Sequence, residues 1–515
     1  RHKPKETLFM GFFCYGVKRG NIGYTVRRNI DRFCMIDTTG MPEEVRERFG
    51  QHRTDVARLQ RKMRAFYRAG TQIRMYHGST NSTRPRDHRR DAVLDISGLN
   101  RVIEVNVEEG YCWVEPNVPM KALIEATLAH GLIPPVVMEF RSITVGGGIQ
   151  GAAGESSSFR YGIFADTCLE YEVMLGNGEL ATATEDENLD IFAGMPGSSG
   201  TVAVLTLAKI RLIPAKPFVR LLTERVGSSL QAVQGIEERM QTADFVDGIV
   251  FSEDRSVVMS GMWSDEVPGM PVRRFLSFWN EWFAVFIDTE SRRKKSFETL
   301  IPIRDYLFRY NRGAFWTGEL GFRLVHLPFW RIFRIILHPF FKTRMLFRFL
   351  HATQMSHRYI FQDCGVPIGK SAEYTRVLEE EFKIYPLWLC PLKTPRFAPE
   401  AIPGYLDAPH ILNVGIWGGQ PYDDHDAFVA ANRLLEQKTM EFRGCKVLYA
   451  HAYYTKEEFW NIYNQELYTA LREHCLSARV FPDLYEKTCQ VRWERSSLVR
   501  GIVRALLPPY KLPLR

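Results

Sequence analysis

Apolar residues recur along this chain with two periods, and the places where the period changes outline its elements. Between residues 53 and 67, Val56, Leu59, Met63 and Phe66 fall on one stripe, which predicts an amphipathic helix. Residues 93–96 (Val-Leu-Asp-Ile) and 102–107 (Val-Ile-Glu-Val-Asn-Val) alternate as half-buried strands do, and residues 111–116 (Tyr-Cys-Trp-Val-Glu-Pro) predict the next strand. From Met120 to His130, Leu123, Ile124 and Leu128 keep helical spacing, and Gly131 marks the end. A strand over 170–175 runs into Gly176-Asn-Gly-Glu, a hairpin turn signal. Residues 213–217 (Ile-Pro-Ala-Lys-Pro) break the pattern. Beyond them, strands are predicted at 247–251, 257–262, 411–417 and 446–453, and helices at 427–442 and 456–471.

Three loops of small residues interrupt this pattern. Residues 143–158 pack Gly146, Gly147, Gly148, Gly151 and Gly154 around Ala152 and Ala153, and end in three serines. Glycine lets backbone approach a ligand closely. A run of backbone N–H groups with hydroxyls beside it suits a pyrophosphate. A Gly-rich turn between strands is the other reading, and context decides between them. Residues 73–85 supply part of that context, since a short apolar strand enters a loop of Gly78, Ser79, Thr80, Asn81, Ser82 and Thr83. Residues 194–207 supply the rest, a second small-residue loop running into a strand. No G-x-G-x-x-G fingerprint opens a helix, so the doubly wound dinucleotide fold is not indicated.

The order of these pieces resembles the PCMH-type FAD-binding domain of the vanillyl-alcohol oxidase family. Several segments are similar to one branch, the Δ24-sterol reductases. They are residues 155–164 (Glu-Ser-Ser-Ser-Phe-Arg-Tyr-Gly-Ile-Phe), 301–306 (Ile-Pro-Ile-Arg-Asp-Tyr) with Phe315-Trp316, and 384–391 (Ile-Tyr-Pro-Leu-Trp-Leu-Cys-Pro). Residues 457–460 (Glu-Glu-Phe-Trp), 467–473 (Leu-Tyr-Thr-Ala-Leu-Arg-Glu) and 481–487 (Phe-Pro-Asp-Leu-Tyr-Glu-Lys) continue the likeness, which spans about 53–489. The resemblance implies an α+β fold: a two-subdomain PCMH-type FAD-binding domain followed by an α+β cap, or substrate, domain. The divisions expected are a basic lead-in over 1–45, the flavin domain over 46–214, the cap over 215–472 and a basic C-terminal segment over 473–515. Cofactor contacts are expected from Gly78, Ser79, Thr80, Asn81 and Ser82. A second set is Thr144, Val145, Gly146, Gly147, Gly148, Ile149, Gln150, Gly151, Ala152, Ala153, Gly154, Glu155 and Ser156. A third is Gly197, Ser198, Gly200, Thr201 and Val202. Relatives with covalent flavin use a histidine near the Asn81 position. Here His77 precedes the glycine, so non-covalent FAD is expected.

The implied activity is reduction of the Δ24 side-chain double bond of a sterol with NADPH as electron donor. A flavin oxidase or dehydrogenase of a sugar lactone or alcohol is the alternative, because one fold supports many reactions. An isolated alkene is a poor base, so the reduction needs a placed acid and exclusion of water. Asp363, His451, Tyr453 and Tyr454 are candidate donors by chemical type, without a choice among them.

Composition narrows the setting. The 515 residues exceed one ordinary core, and 45% apolar with 24% charged content is that of a folded globular protein. Net charge is +8, which suits an anionic cofactor or lipid; no nucleic-acid module is present. Nine scattered cysteines without a C-x-x-C pair point to reduced thiols, and Cys390 sits in an apolar run that favours packing over catalysis. Asp423-Asp-His-Asp426 has metal-ligand chemistry, but its place before a helix favours capping, and no metal is expected.

Residues 322–350 mix Phe, Leu and Ile with Arg323, Arg331, Arg334, Lys342, Arg344 and Arg348, a pattern suited to a lipid interface. The C-terminus repeats it with Arg492, Arg495, Arg500, Arg504 and Lys511 among Leu498, Ile502, Val503, Leu506 and Leu507. Ordinary surface helices packed on the protein would show the same pattern. No transmembrane run is evident, whereas the sterol reductases usually carry an N-terminal membrane helix. The resemblance implies the endoplasmic reticulum membrane with the active domain facing the cytosol, attached peripherally or through an anchor preceding this sequence. Oligomeric state is left open.

Overall fold

A computed structural model describes residues 36–78, 82–84, 92–394, 408–489 and 498–506. The fold is α+β, organised by two antiparallel sheets. The first has five strands in the order Val102–Asn106, Tyr111–Val114, Val204–Arg211, Cys168–Met174 and Leu180–Ala183. Beside it, Arg74–Tyr76 pairs in parallel with Val93–Asp95. The second sheet has eight strands, and the chain passes into it between Pro214 and Phe218. Its central strands are Arg255–Ser264, Phe245–Ser252, Leu387–Lys393 and His410–Gly418, with Ile360–Pro367 next in order. Buried side chains from both sheets join one apolar cluster, from Val114 and Leu205 to Ile249 and Trp388.

The first helix, Glu43–Ala69, is longer than its apolar stripe predicts. Pro42 precedes it, Glu43 and Glu44 sit in its first turn where carboxylates favour the helix dipole, and Gly70 ends it at φ +63°. Its buried face carries Phe49, His52, Val56, Leu59 and Met63. Asp424 caps the His425–Glu441 helix, accepting from the N–H groups of Asp426 and Ala427 at 3.3 Å each.

Three predicted elements differ. The strand expected over 446–453 is only Cys445–Lys446. The buried Lys446 ammonium donates to Glu436 Oε1 at 2.6 Å and His451 O at 2.8 Å, so the chain turns back over it. The helix expected over 456–471 is two, Lys456–Ile462 and Gln465–His474. Tyr463 is extended between them, and Asn464 starts the second by accepting from Leu467 N–H. The glycine-rich loop contains a short helix, Val145–Gln150, capped by Thr144.

Candidate active site

A single cavity of about 780 Å³ lies where the three small-residue loops meet the second sheet. Ligand pockets fall in the range of roughly 300–1,000 Å³. Gly78 and Ser82 line it from the first loop, Thr144, Gly146, Gly147, Gln150, Gly151, Ala152, Ala153 and Gly154 from the second, and Gly200 from the third. The remaining expected residues stand behind this wall. Val145, Gly148 and Ile149 are buried on the inner side of the short helix. Glu155 and Ser156 are buried among other partners. Thr201 Oγ1 donates to Ser198 O at 2.8 Å and accepts from the Tyr468 hydroxyl at 2.8 Å. Gly197 N–H reaches Ile149 O at 3.4 Å, and Val202 is buried. Ser79, Thr80 and Asn81 lie outside the described residues.

The glycines act here chiefly through their lack of a side chain. Gly146 N–H donates to Pro116 O at 2.8 Å, Gly147 N–H to Thr144 Oγ1 at 3.2 Å and Gly148 N–H to Thr144 O at 2.9 Å. The free N–H groups expected of this loop are therefore largely engaged, because the segment coils into a helix. A Cβ on Gly146 would lie 2.8 Å from Pro116 Cβ, and one on Gly148 would lie 2.2 Å from Met138 Cε. Gly200 has φ +72°, and a Cβ there would meet Met75 Cε at 2.3 Å. Glycine thus lets the segment pack closely against Pro116, Met138 and Met75 while backbone borders the cavity at Gly146 and Gly200.

One end of the cavity is cationic. Arg74, Arg84 and Lys487 all line it, and Lys487 Nζ donates to Gly200 O at 3.4 Å. Burial pushes the Lys487 ammonium well below its ordinary value, and Arg84 and Arg74 push the same way. Burial and Arg74 bring Arg84 down to about 10. Three mutually repelling cations in a buried wall fit a dianionic group such as the pyrophosphate of FAD, which would offset their repulsion. The sequence reading missed all three. The only signal was position: Arg74 and Arg84 lie within the 73–85 segment, and Lys487 is the last residue of the 481–487 segment.

Another part of the wall is aromatic and acidic. Phe315, Trp388 and Trp417 line the cavity, with Phe315 and Trp417 ring centres 4.4 Å apart. Asp363 accepts from Asn413 Nδ2 at 2.8 Å and from Trp417 Nε1 at 3.2 Å, and Trp417 Nε1 also reaches the Tyr449 hydroxyl at 3.0 Å. Burial raises Asp363 to about 6, against the pull of Tyr449, Asn413 and Trp417. Glu139 lines the same cavity. Burial raises it to about 8, with Glu155 and Asp363 adding to the rise and Arg309 opposing it. At neutral pH Glu139 therefore holds a proton, and it is a second type of ionisable residue lining the cavity that sequence reasoning did not single out. Of the four donors named from sequence, only Asp363 lines this cavity. His451 and Tyr453 line a separate, much smaller cleft, and burial drops His451 to about 3. Tyr454 is buried in the core. Cys390 lines the cavity, but burial holds its thiol far above the ordinary range, so it is no thiolate.

Behind the loops, Arg309 ties the end of the glycine-rich segment to the second sheet. Its Nη2 lies 3.0 Å from Glu155 Oε1 and 3.0 Å from Asp247 Oδ2, and its guanidinium sits 4.3 Å from the Tyr306 ring centre. Tyr310 and Trp388 also donate to Asp247 Oδ2, at 2.7 and 3.1 Å.

Comparison with known proteins agrees with this geometry. The FAD binding domain family model matches residues 53–184. A Delta(24)-sterol reductase of Homo sapiens is 29% identical over 448 residues, covering 85% of this chain and 86% of the relative. The Delta(24)-sterol reductase homolog dhcr-24 of Caenorhabditis elegans is 29% identical over 418 residues, covering 76% of this chain and 77% of its own. A Delta(24)-sterol reductase of Arabidopsis thaliana is 30% identical over 440 residues, covering 77% of this chain and 76% of its own. With its flavin loops and its second sheet both inside that span, the chain belongs to the Delta(24)-sterol reductase family.

Proposed function

We propose that this protein reduces the Δ24 side-chain double bond of a sterol, with NADPH as electron donor and FAD held non-covalently in the cavity. The observation that carries the reading is one continuous cavity. It is cationic at Arg74, Arg84 and Lys487, acidic at Glu139 and Asp363, and apolar beyond them past Phe347 and Leu350. A sterol is nearly all hydrocarbon and suits that apolar stretch. A sugar lactone or small alcohol would leave it uncovered and would lack polar partners there, so the oxidase alternative is not retained. Residues 46–214 serve as the flavin domain and 215–472 as the cap.

The net reaction adds one hydride and one proton across C=C and oxidises NADPH to NADP⁺. The chemistry supplied by FAD is transfer of the hydride. The chain does the rest. Arg84 and Lys487 would hold the anionic part of the cofactor, and Gly146 and Gly200 would present backbone to it while packing against Pro116 and Met75. The apolar lining excludes water, which preserves a reactive environment for an unactivated alkene. Glu139, protonated at neutral pH, supplies the proton, and the charge on Asp363 helps keep it protonated.

No helix among the described residues is long and apolar enough to cross a membrane. Peripheral contact through residues 322–350 and the C-terminal helix, at the cytosolic face of the endoplasmic reticulum, is part of the proposal. The test is mass spectrometry of sterols after incubation with NADPH and a Δ24-unsaturated sterol. A gain of two hydrogens that requires both NADPH and FAD supports the reading. No gain from flavin-loaded protein rejects it.

A further inference from the structure

The cavity is open at its hydrocarbon end. Val325, Leu327, Phe340 and Leu506 line it and are at the same time exposed. Leu506 belongs to the Leu498–Leu506 helix, which packs on the Thr343–Thr353 helix. The approach is close: a Cβ on Gly501 would lie 2.6 Å from Ala352 O. That contact sets Ile502 and Leu506 over the cavity, opposite the apolar residues of the 317–324 helix.

The surface around this mouth is apolar as well. Trp330 is 66% exposed, Ile336 62% and Ile332 56%, far more than single apolar side chains need be on a folded surface. Trp330 stacks on Phe333 with ring centres 6.0 Å apart. Exposed Phe278 and Trp279 extend the patch, since Arg331 Nη2 donates to Trp279 O at 3.2 Å. The patch is held in place rather than loose: Arg334 is buried beneath it, paired with Glu281 and 4.8 Å from the Phe329 ring centre. Exposed Arg331, Lys342, Arg344, Arg500 and Arg504 lie among these elements. Residues 322–350 contain no Asp or Glu.

An apolar face with an excess of cations, and with no Asp or Glu in residues 322–350, matches the headgroup and acyl boundary of an anionic bilayer. We infer that this face is a lipid-docked mouth, through which sterol passes from the membrane leaflet directly into the catalytic cavity. The inference rests on the sterol reading and deepens it. Docking and catalysis are then separable. Trp330, Ile332 and Ile336 belong to the docking face and do not line the cavity. A second copy of the chain, the other possible occupant of an apolar face, offers the same cations and no complementary charge.

The experiment uses the full chain loaded with FAD. Phosphatidylcholine vesicles, with or without phosphatidylserine, carry a labelled Δ24-unsaturated sterol. Uptake of label into the protein is measured apart from NADPH oxidation, so a protein that takes up sterol without reducing it counts against the reductase reading and not against the mouth. The unaltered chain should float with phosphatidylserine vesicles. The double variant Ile332→Glu/Ile336→Glu should take up vesicle sterol at least about tenfold more slowly, while reducing cyclodextrin-delivered sterol within about twofold of the parent. Because the variant could misfold, a second measurement uses near-wild-type protein. Brominated lipid chains should quench a fluorescence component that disappears in Trp330→Phe. Uptake unchanged in the double variant, absence of that quenching, or a parent dimer that the double variant dissociates would each overturn the inference.

Discussion

Arg309 Nη2 stands 3.0 Å from Glu155 Oε1, with both side chains buried. Glu155 follows the glycine-rich segment, whereas Asp247 lies in the Phe245–Ser252 strand of the second sheet. The cationic side chain thus neutralises carboxylates from two remote parts of the chain. Removing one member of such a set leaves buried charge uncompensated, at a cost of about 3–5 kcal/mol. Arg309→Met is expected to lower stability by that amount, and Arg309→Lys by less, because one ammonium cannot reach all the partners of a planar guanidinium. Urea unfolding of the two variants tests this; equal midpoints for Arg309→Met and the parent would refute it.

Lys487 and Arg84 are expected to recognise the charged half of FAD. Each of Lys487→Met and Arg84→Met should weaken FAD binding about tenfold or more, the scale of one hydrogen bond to a charged group. Riboflavin has no pyrophosphate, so its weaker binding should not change. Flavin titration by fluorescence quenching reads both. An equal loss for FAD and riboflavin would mean that these cations act on the fold and not on the phosphates.

Gly146 is expected to tolerate no side chain. A Cβ would meet the Pro116 ring at 2.8 Å and Pro116 O at 3.2 Å, neither of which is a flexible side-chain end. Gly146→Val should therefore be purified with little flavin, as the ratio of visible to ultraviolet absorbance will report. Full flavin content in this variant would show that the segment can shift without harm to the site.

The acid assignment predicts a pH profile. Glu139 sits at about 8 and must carry its proton to give it up, so turnover should fall as pH rises through about 8. Glu139→Gln should lose roughly 10²–10⁴-fold in kcat, together with that alkaline limb. Removing the charge of Asp363 lessens the repulsion that holds Glu139 up, so Asp363→Asn should move the limb to lower pH. A limb unchanged in both variants would exclude Glu139 as donor.

His52 predicts a pH-dependent stability away from the cavity. Its Nδ1 lies 2.8 Å from Glu115 Oε1 and its Nε2 3.1 Å from Glu172 Oε1. Burial opposes the charged ring, but hydrogen bonds and charges from Glu115 and Glu172 prevail and raise it to about 9. The folded state therefore holds this proton more tightly than the unfolded chain. The stabilisation is full below about 6.5 and is lost as pH rises through about 9; at its largest it is about 3 kcal/mol. The stability gap between the parent and His52→Gln should be wide at pH 6 and narrow at pH 10. A gap that does not change with pH would mean that the ring is held neutral.

Local pattern alone determined the elements whose burial follows a simple period. Val56, Leu59 and Met63 marked the buried stripe of the first helix, and the alternation near residues 93–96 and 102–107 marked two of the strands beside it. The small-residue loops were legible because glycine, alanine and serine are concentrated where backbone borders the cavity, and resemblance supplied the flavin and the sterol. Tertiary structure decided the rest. Arg74 and Arg84 share the first small-residue segment, but Lys487 joins them only when the far end of the chain packs against it, and no local spacing records that. Glu139 is an unremarkable glutamate in sequence; burial beside Glu155 and Asp363 is what keeps it protonated. The 446–453 run looked like a strand because it is a short, almost continuous apolar and aromatic run, but satisfying a buried Lys446 ammonium outweighed extending the ladder. Periodicity reports which face of an element is buried. Charge, proton affinity and the meeting of remote side chains depend on what that face is buried against.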